Sequence, residues 1–503
     1  MATFPDRLYT ADQIRALDRC AIEAHNIPGI TLMKRAGLFA LDTLLARWPQ
    51  PTLITVICGS GNNGGDGYIV AGAAAQRGLP VRVVSLGALE KLTADGQRAR
   101  AFAEAQGVAM TPFGDNTGFA DGVLVDALLG IGVAGEVREA TRVAIQAINR
   151  SGLPTLALDI PSGLCSDTGC ELGVAVRAQV TASFIGLKRG LYTGRGPAVC
   201  GDIVYSDLGV PDAVYDAAHA SAVRLELSVV CRSLQPRQRD AHKGHFGHVL
   251  VIGGDNGYGG AVAMAAEAAL RVGAGLVSVA TRAQHVPALL ARRPELMVNG
   301  VASGQELEPL LSGPTHLVIG PGLGRSPWSE QMLQQALNSG LPMVVDADAL
   351  NILAVGRIGC GGVDARSWVL TPHPGEAARL LGVTTAQVQQ DRFAAAQNLW
   401  QRYPGTVLLK GAGTLLYDGE NSGAQPLFAI CTQGNPGMAS GGMGDVLSGM
   451  IGGLMAQGLT AADAARLGAC VHGAAADRAA AVGGERGLLA TDLMPHLRRL
   501  VNG

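Results

Sequence analysis

Short runs rich in Val, Leu and Ile alternate with Ala-rich stretches along nearly the whole chain, and the alternation breaks only once. Five runs come before the break: TLITVIC from Thr52, VRVVSLG from Val81, GVLVDALLG from Gly122, PTLALDIPSG from Pro154 and QVTASFIG from Gln179. A last run, DIVYSDLG, ends near Gly209. Continuously apolar strands separated by helices predict a parallel sheet covered on both faces. A helix precedes them, because Thr10 and Gln13 form a capping box and Ile14, Leu17, Ala21 and Ile22 recur at helical spacing. Residues from about Val210 to Leu234 lose the rhythm, which marks a domain junction. It restarts in HVLVIGG (His248), GLVSVATR (Gly275), HLVIGPG (His316), PMVVDADAL (Pro342), WVLTPHPGE (Trp368) and TVLLKGAGT (Thr406). A chain of 503 residues exceeds one ordinary core, so two α/β domains are expected.

Composition narrows the function classes. The formal net charge of -2 and the absence of a basic or acidic tail argue against nucleic acid and membrane surfaces as partners. Seventy glycines without a repeat period suit many tight strand-to-helix turns. Nine scattered cysteines with no CxxC pair, and an N-terminus without a signal-like apolar core, point to a reduced, cytoplasmic protein.

Asp126, Asp159, Asp346, Asp348, His373 and Lys410 all fall at or just past the carboxyl end of an expected strand. Ligands of open α/β sheets bind at that edge. A polar residue there is also an ordinary loop start, but six of them beside Gly-rich turns favour a site in each domain. In the first domain, GSGNNGGDG from Gly59 contains GxGxxG, and GIGVAG from Gly130 contains it again. The next strand, VRVVSLG, ends without the acid a dinucleotide ribose requires, so a standard hydride-transfer site is not expected. What remains is a set of exposed backbone N–H groups at a helix start, with amide and carboxylate oxygens suited to a hard cation.

CGSGNNGGDGYIVA, VDALLGIGVAGE and LALDIPSGL, in this order, resemble the NAD(P)H-hydrate epimerase domain over about residues 1–216. The resemblance implies a Rossmann-like three-layer αβα domain. It also implies that the hydrated nicotinamide nucleotide is held by Asn62, Asn63, Gly64, Gly65 and Asp66, and by Gly130, Ile131, Gly132, Val133, Ala134, Gly135 and Glu136. Potassium would be bound by Asn63, Asp126 and Ser162. Asp159 matches a substrate-contacting aspartate and is the candidate acid/base, since inverting the hydrated carbon requires proton transfer. Its simpler role would be to cap the following turn.

In the second half, Asp445 is the only charged residue between Asn421 and Ala462. It lies between the glycines of SGGMGD and an apolar run broken by Gly449, Gly452 and Gly453. The run is too short and too interrupted for a membrane span, so a buried helix is expected. Glycines before a helix offer N–H groups to phosphoryl oxygens, and a desolvated carboxylate beside them can act as a base. The simpler alternative is a first-turn acid favoured by the helix dipole.

This GxGD pattern resembles the ribokinase-like superfamily. KGHFGHVLVIGG, GPGLGR, DADALNIL, LTPHPGE, LLKGAGT and NPGMASGGMGD resemble more closely its ADP-dependent NAD(P)H-hydrate dehydratases. That likeness covers about residues 225–503, and the whole chain resembles the bifunctional NAD(P)H-hydrate repair enzymes. It implies that ADP is held by Lys410, Gly411, Ala412, Gly413, Thr414 and Gly444, with magnesium on its phosphates. The hydrated nucleotide would contact Ala261, Gly322, His373 and Asp445, with Asp445 catalytic. His373 could equally be a hydrogen-bonded loop histidine. No Walker A sequence is present. The implied partners are hydrated NADH or NADPH and ADP, in a homo-oligomer. The competing readings are a ribokinase-like small-molecule kinase, which would release a stable phosphate ester, and a nucleotide sensor without turnover.

Overall fold

The computed structural model describes residues 5–114, 117–133, 135–358, 364–419 and 427–502. The chain divides into two compact units, Met1–Val223 and Arg224–Gly503.

The first unit is built on a seven-stranded sheet whose neighbouring strands all run parallel. In spatial order its strands are Ala109–Pro112, Val81–Ser85, Ile54–Cys58, Val123–Ala127, Thr155–Leu158, Val180–Phe184 and Asp202–Ser206. Side chains of adjacent residues point to opposite faces, so one strand feeds two cores. Val56, Val83 and Val125 face the helices Gly29–Arg47, Asn62–Gln76 and Ala94–Ala105. Ile57, Val84 and Leu124 face Ala144, Ile145 and Ile148 of the helix Glu139–Ser151. This is the expected three-layer αβα arrangement.

Two features lie beyond the sequence reading. Ala109–Pro112 is an edge strand with no fully buried residue, so it lacks the apolar run that marks the others. The first helix, Ala11–Arg19, starts on the expected capping box of Thr10 and Gln13, then widens into a π-helical turn over Cys20–Ala24. The extra residue per turn breaks the helical spacing, so Ile14, Leu17 and Ala21 are buried whereas Ile22 is 41% exposed.

The second unit orders its strands Met297–Gly300, Leu276–Thr281, His248–Ile252, His316–Ile319, Met343–Val345, Trp368–Leu370, Thr406–Leu409, Thr414–Tyr417 and Phe428–Cys431. The first seven are parallel to their neighbours and the last two are antiparallel. The apolar run after Asp445 is a buried helix, Met443–Ala456. Its glycines are contact points: a Cβ on Gly449 would lie 1.9 Å from the Ala265 carbonyl oxygen, and one on Gly452 would lie 2.3 Å from Val318. Among the described residues no helix is long and apolar enough to cross a membrane.

Each unit has a set of parallel strands with buried helices packed on them, so each is expected to fold alone. Producing residues 1–223 and 224–503 as separate chains is expected to give two soluble pieces, each with a cooperative melting transition. Aggregation of both pieces would contradict this.

Candidate functional site

Each sheet has one point where the strand order reverses direction. In the first unit it falls between Ile54–Cys58 and Val123–Ala127, and in the second between His248–Ile252 and His316–Ile319. The crevice outside the carboxyl ends at such a point is where open α/β sheets bind ligands.

In the first unit that crevice gathers Asn63, Asp126 and Ser162. Asp126, the last residue but one of its strand, is fully buried. Its Oδ2 accepts the Ser162 N–H at 2.8 Å, and its Oδ1 accepts the Ser162 hydroxyl at 2.6 Å and the Leu128 N–H at 3.2 Å. Burial pushes the Asp126 carboxyl up to about 6, against the lowering effect of the Ser162 hydrogen bonds. Asn63 donates its amide to the Leu129 carbonyl at 2.9 Å. Its Oδ1 is buried and has no hydrogen-bond partner among the described residues. An orphaned buried oxygen costs about 1–3 kcal/mol, so this one calls for an electropositive neighbour. All three side chains offer oxygen and one is a carboxylate. No group of three or more His, Cys, Asp or Glu side chains able to hold a metal occurs among the described residues.

The segment Asn62 to Asp66 opens the helix Asn62–Gln76. It can coil so tightly after the strand because Gly64 lies against the Gly59 carbonyl, where a Cβ would come within 2.0 Å. Asn62 is exposed and its Oδ1 accepts the Thr93 hydroxyl at 3.0 Å; Gly65 is buried and Asp66 half-buried. Gly130 packs beside Asn63, and the Arg15 guanidinium reaches Gly132. Gly130, Ile131 and Val133 are half-buried, whereas Gly132, Gly135 and Glu136 are exposed. Ala134 lies outside the described residues.

Asp159 is where the structure adds most. It follows the strand Thr155–Leu158 with φ 65°, a left-handed conformation rare outside glycine. Its Oδ1 accepts a short hydrogen bond from the Lys188 ammonium, and the Phe184 N–H approaches at 3.3 Å. Lys188 is fully buried and also donates to the Ser183 hydroxyl and the Phe184 carbonyl. The sequence reading missed Lys188, which sits in SFIGLKRG and looks like a solvated turn. It is drawn inside because Leu187–Lys188 pairs with Arg7–Tyr9 from the far N-terminus.

In the second unit, Ala261 and Gly322 meet at the reversal point, with Gly322 at φ 58°. The polar centre lies farther along the same edge. Asp346 is 1% exposed; its Oδ1 accepts Lys410 Nζ at 2.9 Å and its Oδ2 the Ser448 hydroxyl at 2.5 Å. Lys410 Nζ also stands 3.9 Å from Glu376 Oε2. Burial alone would lower the Lys410 pKa, yet Asp346 and Glu376 raise it overall. A Cβ on Gly444 would lie 3.2 Å from that ammonium, so a small residue there leaves the lysine room. Asp348 accepts the Gly324 N–H at 3.0 Å.

Asp445 occupies the first turn of Met443–Ala456, after Gly442 at φ 90° and with no side-chain cap. Burial, then the Asp346 charge, push its carboxyl up to about 7, with Lys410 opposing. The acid of a first turn is thus brought beside a half-buried lysine and a strand-end carboxylate. His373 caps the helix Pro374–Leu381: its Nδ1 accepts the Gly375 N–H at 3.0 Å while Glu376 accepts the His373 N–H at 2.8 Å. Burial and Lys410 lower its pKa. The turn Gly411, Ala412, Gly413, Thr414 opens to solvent at Gly411 and Ala412. Beneath it the buried Arg392 guanidinium donates to the carbonyls of Leu409, Lys410 and Gly413 at 3.1, 3.3 and 3.5 Å. Arg392 and Ser448 were not singled out in the sequence, because each acts from a helix distant in the chain from the turn it supports.

Residues 249–499 match the family model described as NAD(P)H-hydrate dehydratase, and residues 29–190 match YjeF-related protein N-terminus. The bifunctional NAD(P)H-hydrate repair enzyme Nnr of Coxiella burnetii is 51% identical over 98% of this chain and 99% of its own length. The protein of the same name from Escherichia coli is 42% identical over 99% of this chain and 95% of its own length. A solved ribokinase-like superfamily protein from Enterococcus faecalis covers 56% of this chain and 96% of itself, with 29% identity and a TM-score of 0.50.

Ser448 satisfies one oxygen of a buried carboxylate. Ser448→Ala is expected to lower the unfolding free energy by about 1–3 kcal/mol. Urea denaturation measures it, and an unchanged midpoint would show that Asp346 does not need this donor.

Proposed function

We propose the following division of labour because this chain belongs to the bifunctional NAD(P)H-hydrate repair enzyme family. Its N-terminal unit epimerises the R and S hydrates of NADH and NADPH. Its C-terminal unit dehydrates the S hydrate to NAD(P)H with ADP, releasing AMP and phosphate. The observation that carries the reading is full-length identity of 51% to a relative of that name, spanning both units.

In the dehydratase reaction Asp445 takes the proton of the ring hydroxyl, whose oxygen then bonds to the terminal phosphorus of ADP. The bond from that phosphorus to the bridging oxygen breaks, and AMP leaves carrying that oxygen. Loss of the new phosphate ester, together with a ring proton, restores the dihydronicotinamide. The pKa near 7 supports this role, because a base is most effective close to the working pH. Lys410 and Gly411 to Thr414, steadied by Arg392, hold the nucleotide with Gly444. Ala261, Gly322 and His373 hold the hydrate. Magnesium would supply charge neutralisation for the phosphates, and such an ion needs only one or two carboxylates from the protein.

In the epimerase, Asn62 to Asp66 and Gly130 to Glu136 bind the hydrate and Asp159 transfers a proton. Asn63, Asp126 and Ser162 fit potassium, a weakly hydrated ion suited to few charges and mixed oxygens, and the orphaned Asn63 Oδ1 supports this. The ion would fix the turns around it electrostatically. A cytoplasmic homo-oligomer completes the reading.

A mixture of both epimers incubated with the protein and ADP should be restored completely, read as the return of dihydronicotinamide absorbance. Asp445→Asn should lose about two to four orders of magnitude in dehydration and keep epimerisation. In the wild type, dehydration should rise with pH through about 7, since the base must be ionised. Near-normal AMP formation by the variant rejects the assignment.

Asp126→Ala should weaken the potassium dependence of epimerisation and leave dehydration of the S hydrate unchanged. The check is a potassium titration at equal folded concentration. A curve that matches the wild type removes Asp126 from the cation site.

A further inference from the structure

Asp159 is not alone with Lys188. Asp66, from the second turn of Asn62–Gln76, and Asp18, from the last turn of Ala11–Arg19, interact electrostatically with each other, with Asp159 and with Lys188. Among the described residues neither Asp18 nor Asp66 has a hydrogen-bonded or ion-paired side-chain partner, whereas Asp159 is bound to the ammonium. Three carboxyls therefore share one cation in a half-buried cluster. With all three ionised, two negative charges would go uncompensated where water is scarce, so the cluster retains a proton. Asp159 is the member paired with the Lys188 ammonium. The proton belongs to the other two. Burial, then Asp159 and Asp18, push the Asp66 carboxyl well above its ordinary range; burial and Asp159 push Asp18 up to about 6.

Topology places the two kinds of carboxyl on opposite sides. Asp66 follows the strand Ile54–Cys58, and Asp159 follows Thr155–Leu158. These strands flank Val123–Ala127, one on each side. A ring seated above Asp126 would lie between the helix that carries Asp66 and the strand end that carries Asp159.

We infer that Asp66 and Asp159 are the two proton-transferring groups of the epimerisation, acting on opposite faces of the hydrated ring, with Lys188 and Asp18 setting their charge. The inference rests on the epimerase reading above and deepens it. The hydrated carbon is bonded to the ring nitrogen. The Asp66 carboxyl gives its proton to the hydroxyl oxygen, the C–O bond breaks with its electron pair, and water leaves. The nitrogen lone pair forms a C=N double bond. A second water then adds from the opposite face. Its oxygen bonds to carbon, the C=N pair returns to nitrogen, and the released proton goes to Asp159. The reverse direction exchanges the two roles, and the proton returns through the cluster.

The test uses the full chain in ¹⁸O-labelled water, with the R hydrate and without ADP. In the wild type, each inversion should carry one labelled oxygen into the product; inversion without label overturns the inference. Asp66→Asn should lower kcat for inversion by about a hundredfold or more with KM little changed. The N-terminal melting transition of the same preparation controls for folding of the unit that carries Asp66. An unchanged kcat, or a loss confined to KM, overturns the inference and leaves Asp66 a binding residue. A wild type that inverts nothing defeats the epimerase reading instead. If Asp66→Asn abolishes the N-terminal melting transition, Asp18→Asn carries the test. The charged and titratable groups acting on Asp66 are Asp18, Asp159 and Lys188, with the Cys58 thiol also in its field. Removing Asp18 takes away a like charge, so the alkaline fall of the inversion rate should move to lower pH. A limb that stays in place overturns the shared proton.

Discussion

A strand buried on both faces has no place for a charged side chain except at its end. That constraint governs both units. The strands Ile54–Cys58 and Val123–Ala127 are buried along their whole length, as are Trp368–Leu370 and Thr406–Leu409. Asp126 is the last residue but one of Val123–Ala127, and Asp159, Asp346 and Lys410 immediately follow the buried strands Thr155–Leu158, Met343–Val345 and Thr406–Leu409. The parallel arrangement sends all those ends to one edge, so the demands of burial assemble the polar groups before any ligand is considered.

Both units then use the same device. A strand-end aspartate is held by a lysine brought from a later segment: Asp159 by Lys188 and Asp346 by Lys410. Each pair adjoins a residue in the left-handed region, Asp159 itself at φ 65° and Ala347 at φ 50°. Desolvating such a pair is costly, and removing one partner alone typically costs about 3–5 kcal/mol because the other charge is left uncompensated. Strain and buried charge of this kind persist only where the surroundings over-determine them. The pairs sit next to the carboxyls whose protonation matters most, Asp66 in one unit and Asp445 in the other.

Much of this was legible in the sequence because buried parallel strands write themselves as continuous apolar runs. The strands on which both sites depend are all visible in that way, and so is the helix after Asp445. The failures have a physical pattern. Ala109–Pro112 and Met297–Gly300 are edge strands with no fully buried residue, so no apolar run marks them. Thr414–Tyr417 and Phe428–Cys431 form an antiparallel addition that the alternation of strand and helix does not announce. Lys188, Asp18 and Arg392 were missed because their importance comes from partners far away in the chain. A lysine in GLKRG gives no local sign that it will be fully buried against Asp159. Conversely, His373 stands in a turn that the sequence flagged, and its capping bonds with Gly375 and Glu376 are local.

The glycines of Met443–Ala456 have a consequence for engineering. Replacing glycine by alanine is a common route to a more heat-resistant protein, since it narrows the unfolded ensemble by about 0.4–1 kcal/mol. Here that route is closed where it looks most inviting, in the middle of a long buried helix. A methyl group on Gly449 would collide with the Ala265 carbonyl, and one on Gly453 would press on Ala269. Relief would require the helix to slide or tilt, and Asp445 rides at its leading end. Positions such as Gly118 and Gly483, with open space around them and no left-handed backbone, can accept the change. Thermal hardening of this chain is therefore a task for its periphery, while the smallest residues of its interior act as the gauge that sets where a carboxylate stands.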